Sequence, residues 1–83
     1  MTTYIVSQRY FFEEEPDQFI IRDIYDDKSK AQKRIGELYD KEFDFFSKEY
    51  GKENIGAFLE SDWFEIKSET SSTFCDIVEK ELQ

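Results

Sequence analysis

The sequence contains no histidine, and only one cysteine, one proline and three glycines among its 83 residues. Without histidine the commonest general base is missing, and Ser-His-Asp and Cys-His catalytic arrangements are impossible. The single cysteine, Cys75, can form no internal disulfide and has no cysteine or histidine partner for a zinc site. The glycines stand alone, so the chain has no glycine-rich phosphate-binding loop. These absences predict a protein that is not an enzyme and holds no cofactor or metal.

Long apolar runs are missing as well. No stretch approaches the ~18 residues of a membrane-spanning helix, and the start of the chain resembles no signal peptide. Aromatic residues make up 18% of the chain, too many for a disordered protein. We therefore expect one soluble, cytoplasmic domain over residues 1–83 that makes no contact with a membrane. Its core must be thin at this size, and large aromatic side chains help to build it.

The first third of the chain predicts a β-hairpin. Alternation over residues 3–12 places Tyr4, Val6, Tyr10 and Phe12 on one face of a strand. Residues 13–17 predict a turn, because proline lacks a backbone donor and three adjacent carboxylates repel one another. Residues 18–25 predict a second strand. Its apolar residues occur on both parities, which favours a central strand or a strand with a partly covered second face.

The hydrophobic period changes from two residues to about 3.6 after the second strand, which predicts one long helix over residues 29–50. Ser29 and Gln32 fit a capping box, in which each side chain accepts a hydrogen bond from a free backbone N–H. Gly51 is a natural stop for the helix. The apolar stripe consists of Ala31, Ile35, Leu38, Tyr39, Phe43, Phe46 and Tyr50.

The remainder of the chain predicts a second hairpin. Residues 54–59 are interpreted as a loop or a single helical turn, and residues 62–69 as a third strand. After a turn at residues 70–72, residues 73–82 predict a fourth strand, although residues 79–82 are also compatible with a helix. The order β-β-α-β-β indicates an α+β fold, with a four-stranded antiparallel sheet and one long helix packed on one face. The predicted core comprises Tyr4, Val6, Tyr10, Ile21, Ile35, Leu38, Phe46, Trp63, Phe64, Ile66, Phe74 and Val78.

Charge is distributed unevenly along the chain, whose formal net charge is −9. Residues 1–27 and residues 60–83 each carry a net charge of −5, whereas residues 28–59 carry +1. The negative charge therefore belongs to the two hairpins. Four basic residues, Lys28, Lys30, Lys33 and Arg34, cluster at the start of the helix, where they oppose the helix dipole. They form either an interaction site or a solvent-exposed helix face with pairs such as Lys33–Glu37.

Two interpretations of the acidic hairpins compete. The carboxylates keep a small aromatic-rich domain soluble, or they form a surface that binds a basic protein in place of nucleic acid. The second interpretation predicts a partner that is a nuclease or another nucleic-acid-binding protein. The protein itself should not bind DNA or RNA, because its net charge repels a polyanion. The predicted partner-binding residues are Glu13, Glu14, Glu15, Asp17, Asp23, Asp26, Asp27, Asp62, Glu65 and Glu69.

In length, acidity, aromatic richness and lack of catalytic residues, the chain resembles small accessory proteins of phages and mobile elements. The anti-CRISPR, anti-restriction and other DNA-mimic inhibitors belong to that group. The resemblance is one of type, without a shared family motif, and it implies a stoichiometric inhibitor of a host nucleic-acid-binding protein. The residues that carry it are Glu13, Glu14, Glu15, Pro16, Asp17, Asp26, Asp27, Glu60, Asp62, Glu65, Glu69 and Asp76.

The alternative function is a small structural or protein-interaction module. Its basis is the aromatic content, because exposed aromatic side chains are typical anchors of protein interfaces. Phe11, Phe43 and Phe45 are the candidates, and a homodimer formed through them is one form of this alternative. Salt separates the two functions, since binding through carboxylates weakens with ionic strength and binding through aromatics hardly responds.

Overall fold

A computed structural model describes residues 1–81, which form one α-helix against a five-stranded antiparallel sheet. The predicted α+β class and the single long helix are confirmed. The sheet has the strand order β2-β1-β5-β4-β3, so β2 and β3 are its edges. In chain order the elements are β1 (Thr2–Phe12), β2 (Glu15–Tyr25), α1 (Lys28–Tyr50), a 3-10 turn (Lys52–Asn54), β3 (Gly56–Leu59), β4 (Trp63–Lys67) and β5 (Ser71–Glu81).

The sheet has one more strand than the four predicted. The added strand is β3, in the segment interpreted as a loop or helical turn, and it pairs with β4 from Gly56↔Lys67 to Leu59↔Phe64. Four residues that begin with glycine carry little strand signal of their own, and pairing with β4 decides their conformation. β5 remains extended to Glu81, so the helical alternative is wrong for residues 79–81, and the predicted strand end at Leu82 lies outside the described residues.

The position of β2 also differs from the prediction. This strand is an edge strand rather than a central one, and it starts at Glu15 instead of after the 13–17 run. Pro16 is tolerated there because an edge strand has one row of backbone groups without a neighbouring strand. Its apolar residues occur on both parities since some face α1 and others lie on the uncovered side of the sheet.

Helix α1 begins at a cap different from the one that the sequence predicts. The Asp27 carboxylate accepts hydrogen bonds from the backbone N–H of Ser29 at 2.8 Å and from its hydroxyl at 2.6 Å. Gln32 takes no part in a capping box, because its amide donates instead to Asp62 at 2.7 Å. The predicted stop is confirmed: Gly51 has φ of 89° and donates its N–H to the carbonyl of Ser47.

The core lies between α1 and the sheet. Six of the twelve predicted core residues are fully buried there, but Ile21 and Val78 are 55% and 46% exposed. Trp63 and Phe74 are only half-buried. These four side chains are on the face of the sheet that α1 does not cover, and the alternation of a strand alone does not say which face a helix will choose. The buried apolar residues are Val6, Ala31, Ile35, Leu38, Phe46, Phe64, Ile66 and Cys75.

Candidate protein-binding surfaces

The face of the sheet opposite α1 is apolar and uncovered, and we call it the open face. Register pairs place its side chains together: Arg9 is opposite Phe19 and Phe74, and Ile5 is opposite Ile24 and Val78. Six of its large apolar side chains are between 46% and 62% exposed. Exposed apolar patches of this kind mark interaction sites on small proteins. The six are Phe11, Phe19, Ile21, Ile24, Phe58 and Val78.

Polar side chains on the open face are paired with one another. Ser7 donates to Asp76 at 3.1 Å, and Lys67 lies 3.5 Å from the Glu65 carboxylate. The guanidinium of Arg9 stacks over the ring of Phe19, 5.6 Å from its centroid. The open face is therefore close to neutral, whereas the chain as a whole carries −9. Of the ten predicted partner-binding residues, only Glu65 lies centrally on it.

Five predicted carboxylates gather at one end of the sheet, which we call the acidic end. The β1–β2 turn and the β4–β5 turn are adjacent there, because the N–H of Glu13 donates to the carbonyl of Thr70 at 3.1 Å. All five side chains are exposed. Within residues 1–81 none of them lies within 4 Å of a lysine or arginine nitrogen. The acidic end consists of Glu13, Glu14, Glu15, Asp17 and Glu69.

Four of the other predicted carboxylates lie at the opposite end of the sheet, where two of them pair with basic residues of α1. Asp23 accepts from Arg34 at 2.7 Å. Asp62 lies 3.7 Å from Lys28, and a hydrogen bond from Gln32 lowers the pKa of its carboxyl. Asp27 is occupied as the helix cap, and its hydrogen bonds from Ser29 lower its pKa. The ten predicted residues therefore do not form one surface, and Asp26 is exposed beside this neutralised group.

Two of the four basic residues at the start of α1 are engaged by the same contacts. Lys28 pairs with Asp62 and with Glu79, and Arg34 pairs with Asp23. Glu37 was expected to pair with Lys33, but its carboxylate lies 4.0 Å from Arg34 instead. Lys30 and Lys33 are exposed and form no ion pair within residues 1–81, so both interpretations of the cluster stay open.

A buried polar network lies under α1, and the sequence did not predict it. Two polar residues stand at positions that face the core. Gln8 is fully buried, and Glu42 is 6% exposed. Arg22 links them: its Nε donates to Gln8 at 2.8 Å and its Nη2 donates to the hydroxyl of Tyr10 at 2.7 Å. The Tyr10 hydroxyl donates in turn to Glu42. Burial, with the bond to Glu42, raises the pKa of Tyr10 to about 12, so the hydroxyl stays protonated as a donor at neutral pH.

The network forms the floor of a cleft of about 440 Å³ between α1 and the start of β2. Phe12 and Phe45 line the cleft, with Glu15, Gln18 and Lys41 near the network residues. Two cationic and two acidic side chains face one another here, so the cleft presents no excess charge. Within residues 1–81, no group of three cysteine or acidic side chains is arranged to hold a metal ion.

Cys75 is completely buried on the face of β5 that packs under α1. Burial raises the pKa of its thiol to about 12, and the neighbouring Asp76 adds to the effect. We expect Cys75 to react with an aromatic disulfide reagent at least roughly 100-fold more slowly in the native protein than in guanidinium chloride, because the thiolate is the nucleophile. Absorbance of the released thiolate gives both rates. Similar rates in the two states would place Cys75 at the surface.

No helix in the part of the chain that the structure describes is long and apolar enough to cross a membrane. No family model, no curated protein and no solved structure matches the chain.

Proposed function

We propose that the chain is a non-enzymatic protein that uses its acidic end to bind a basic protein, a nuclease or another nucleic-acid-binding protein, and inhibits it. The observation that carries this proposal is the segregation of charge. Five exposed carboxylates share one end of the sheet with no cation within 4 Å in residues 1–81, whereas Asp23 and Asp62 at the other end pair with Arg34 and Lys28. An unpaired carboxylate is the one that remains free to bind a partner's lysine or arginine.

The backbone of the acidic end supports the same role. Glu13, Glu14 and Glu69 stand on two tight turns joined by the Glu13–Thr70 hydrogen bond, and Glu15 and Asp17 belong to the start of β2. A partner therefore has to order side chains but not the backbone, which reduces the entropic cost of binding.

The test compares three forms of the protein as baits in affinity capture from a lysate of the source cells at low salt. The acidic-end variant carries Glu13→Lys, Glu14→Lys and Glu69→Lys. The control variant has the same change in charge through Asp40→Lys, Glu49→Lys and Glu53→Lys, at exposed positions of α1 and the 3-10 turn. We expect wild type and control to retain the same nucleic-acid-binding protein, and the acidic-end variant to lose it.

Titration against the purified captured protein then gives the magnitude. We expect the acidic-end variant to bind at least tenfold more weakly than the control, because close charge pairs at interfaces contribute a few kcal/mol together. The nucleic acid that the captured protein binds, DNA or RNA, should compete with the wild type, and affinity should fall as salt rises. Equal affinity of the two variants, or binding with which that nucleic acid does not compete, would refute nucleic-acid replacement at the acidic end.

A second candidate function is a protein-interaction module that uses the open face. The observation in its favour is the set of six large apolar side chains that are about half exposed on one side of the sheet. Of the aromatic residues named from the sequence, Phe11 lies on this face, whereas Phe43 and Phe45 belong to α1.

A further inference from the structure

We infer that the occupant of the open face is a second copy of this chain, so that the protein is a face-to-face homodimer. The inference rests on the second candidate function, which leaves the partner of the open face unspecified. It does not use the carboxylates on the two turns of the acidic end, Glu13, Glu14 and Glu69, although Asp17 borders the open face beside Phe11 and Phe19.

Charge complementarity points to a second copy. The long-range field of a −9 chain opposes association through most of its surface. The open face is the exception, since Arg9 and Lys67 balance Glu65 and Asp76 on it. Two such faces can approach without stacking like charges, and each supplies the apolar side chains that the other needs. A strongly basic partner would find few carboxylates to pair with here.

The area of the open face agrees with what a stable dimer buries. Strands β1, β2 and β5 have 11 residues each, which at about 3.3 Å per residue is about 36 Å of length. With β3 and β4 included, five strands at about 4.8 Å spacing give a projected face of roughly 650 Å². Protruding side chains make the accessible area larger. Standard protein interfaces bury about 800 Å² on each partner.

The charge at the ends of the sheet selects the symmetry of the dimer. A two-fold axis that relates two sheets face to face must lie in the plane between them, and in the aligned packings it runs either along the strands or across them. An axis along the strands would place the two acidic ends beside each other, which is unfavourable. An axis across the strands places them at opposite ends and lays β2 over β2, so that Phe19, Ile21 and Ile24 meet their own counterparts. This is an aligned two-sheet sandwich.

The edges of the sheet are poorer sites for a second copy than its face. β2 is the longer edge, but Pro16 removes one donor and a register shift between Val6 and Ser7 disturbs its pairing with β1. Proline, charge and bulges are the usual protections of an edge strand against pairing with another chain. A second copy therefore adds to the apolar face rather than extending the sheet.

The test is sedimentation velocity over about 1–200 µM protein, a range in which weak and strong dimers differ. We expect wild type to sediment as twice the monomer mass of 10.0 kDa at the upper concentrations. The face variant carries Ile21→Lys and Ile24→Lys, at positions 55% and 62% exposed. Its dimer dissociation constant should rise at least 30-fold. The control Phe45→Lys, at a residue 50% exposed on α1, should change that constant by less than about threefold.

Further measurements distinguish the loss of the dimer interface from the loss of the fold. Phe58→Lys on β3 is a second face variant, and circular dichroism establishes that each variant is folded. Raising salt should leave the wild-type dimer intact or strengthen it, in contrast to binding through the acidic end. A wild type that is monomeric at every concentration, or a face variant that dimerises like the control, overturns the inference. If wild type is monomeric and the face variant still loses a captured protein, the second candidate function survives and only the second copy is wrong.

Discussion

Replacement of Phe64 by alanine is expected to lower the free energy of unfolding by about 3–5 kcal/mol, as large-to-small changes of buried phenylalanine do. Phe64 is completely buried in β4, opposite Cys75 of β5. Its ring meets that of Tyr39 from α1 edge to face, with centroids 5.7 Å apart. The alanine would leave a cavity at the junction of helix and sheet, and such a junction cannot collapse without moving α1.

This loss would be a large fraction of the total free energy of unfolding, because the fold is built from few residues. Domains of this kind have total stabilities of about 5–15 kcal/mol, and thin cores lie toward the lower end. Urea unfolding followed by circular dichroism, at one low protein concentration, gives the change. Phe45→Ala is the matched control: it removes the same ring from an exposed position of α1 and should cost less than about 1 kcal/mol. Equal losses in the two variants would mean that α1 does not pack over β4.

Hydrophobic period was sufficient to predict the helix and the long strands. The stripe from Ala31 to Phe46 recurs at helical spacing, and tertiary packing uses that same stripe: Ala31, Ile35, Leu38 and Phe46 are all buried. β3 could not be predicted in this way, because four residues hold too few alternations and their strand character comes from pairing with β4.

The sequence did not predict which face of the sheet α1 covers, and the reason is a different one. Alternation divides a strand into two sets of side chains, but both sets in β2 and β5 contain apolar residues. The prediction therefore assigned Ile21 and Val78 to the core, whereas α1 covers the other side. The side of the sheet on which α1 packs decides which set is buried. That side depends on contacts between residues that are distant in sequence.

The candidate site could be predicted in part. Acidic turns were visible as runs of carboxylates, and the acidic end contains five of the ten predicted residues. Which carboxylates are neutralised could not be predicted, because Asp23–Arg34 and Asp62–Lys28 are contacts between different elements. Gln8 and Glu42 were visible as polar residues on otherwise apolar faces, and that anomaly is the signal that could have revealed the buried network.

The second large effect concerns Arg22, the residue that completes this network. Replacement by methionine keeps the apolar stem but removes the guanidinium, so Gln8 loses a donor at 2.8 Å and Tyr10 loses one at 2.7 Å. Glu42 loses the cation 3.9 Å away while its side chain remains 8% exposed. A buried charge without its partner typically costs 3–5 kcal/mol. Because Arg22 is itself a quarter exposed and Tyr10 still donates to Glu42, we expect Arg22→Met to cost about 3 kcal/mol.

A double variant separates this explanation from simple loss of packing. Glu42→Gln removes the charge and retains an oxygen that accepts from Tyr10, so Arg22→Met/Glu42→Gln should be at least about 1 kcal/mol more stable than Arg22→Met alone. Packing loss would give additive costs, with the double variant less stable than either single one. Urea unfolding of wild type, both single variants and the double variant completes the cycle. Additive costs would show that Glu42 does not depend on the charge of Arg22, and that the network stabilises the fold through its neutral hydrogen bonds.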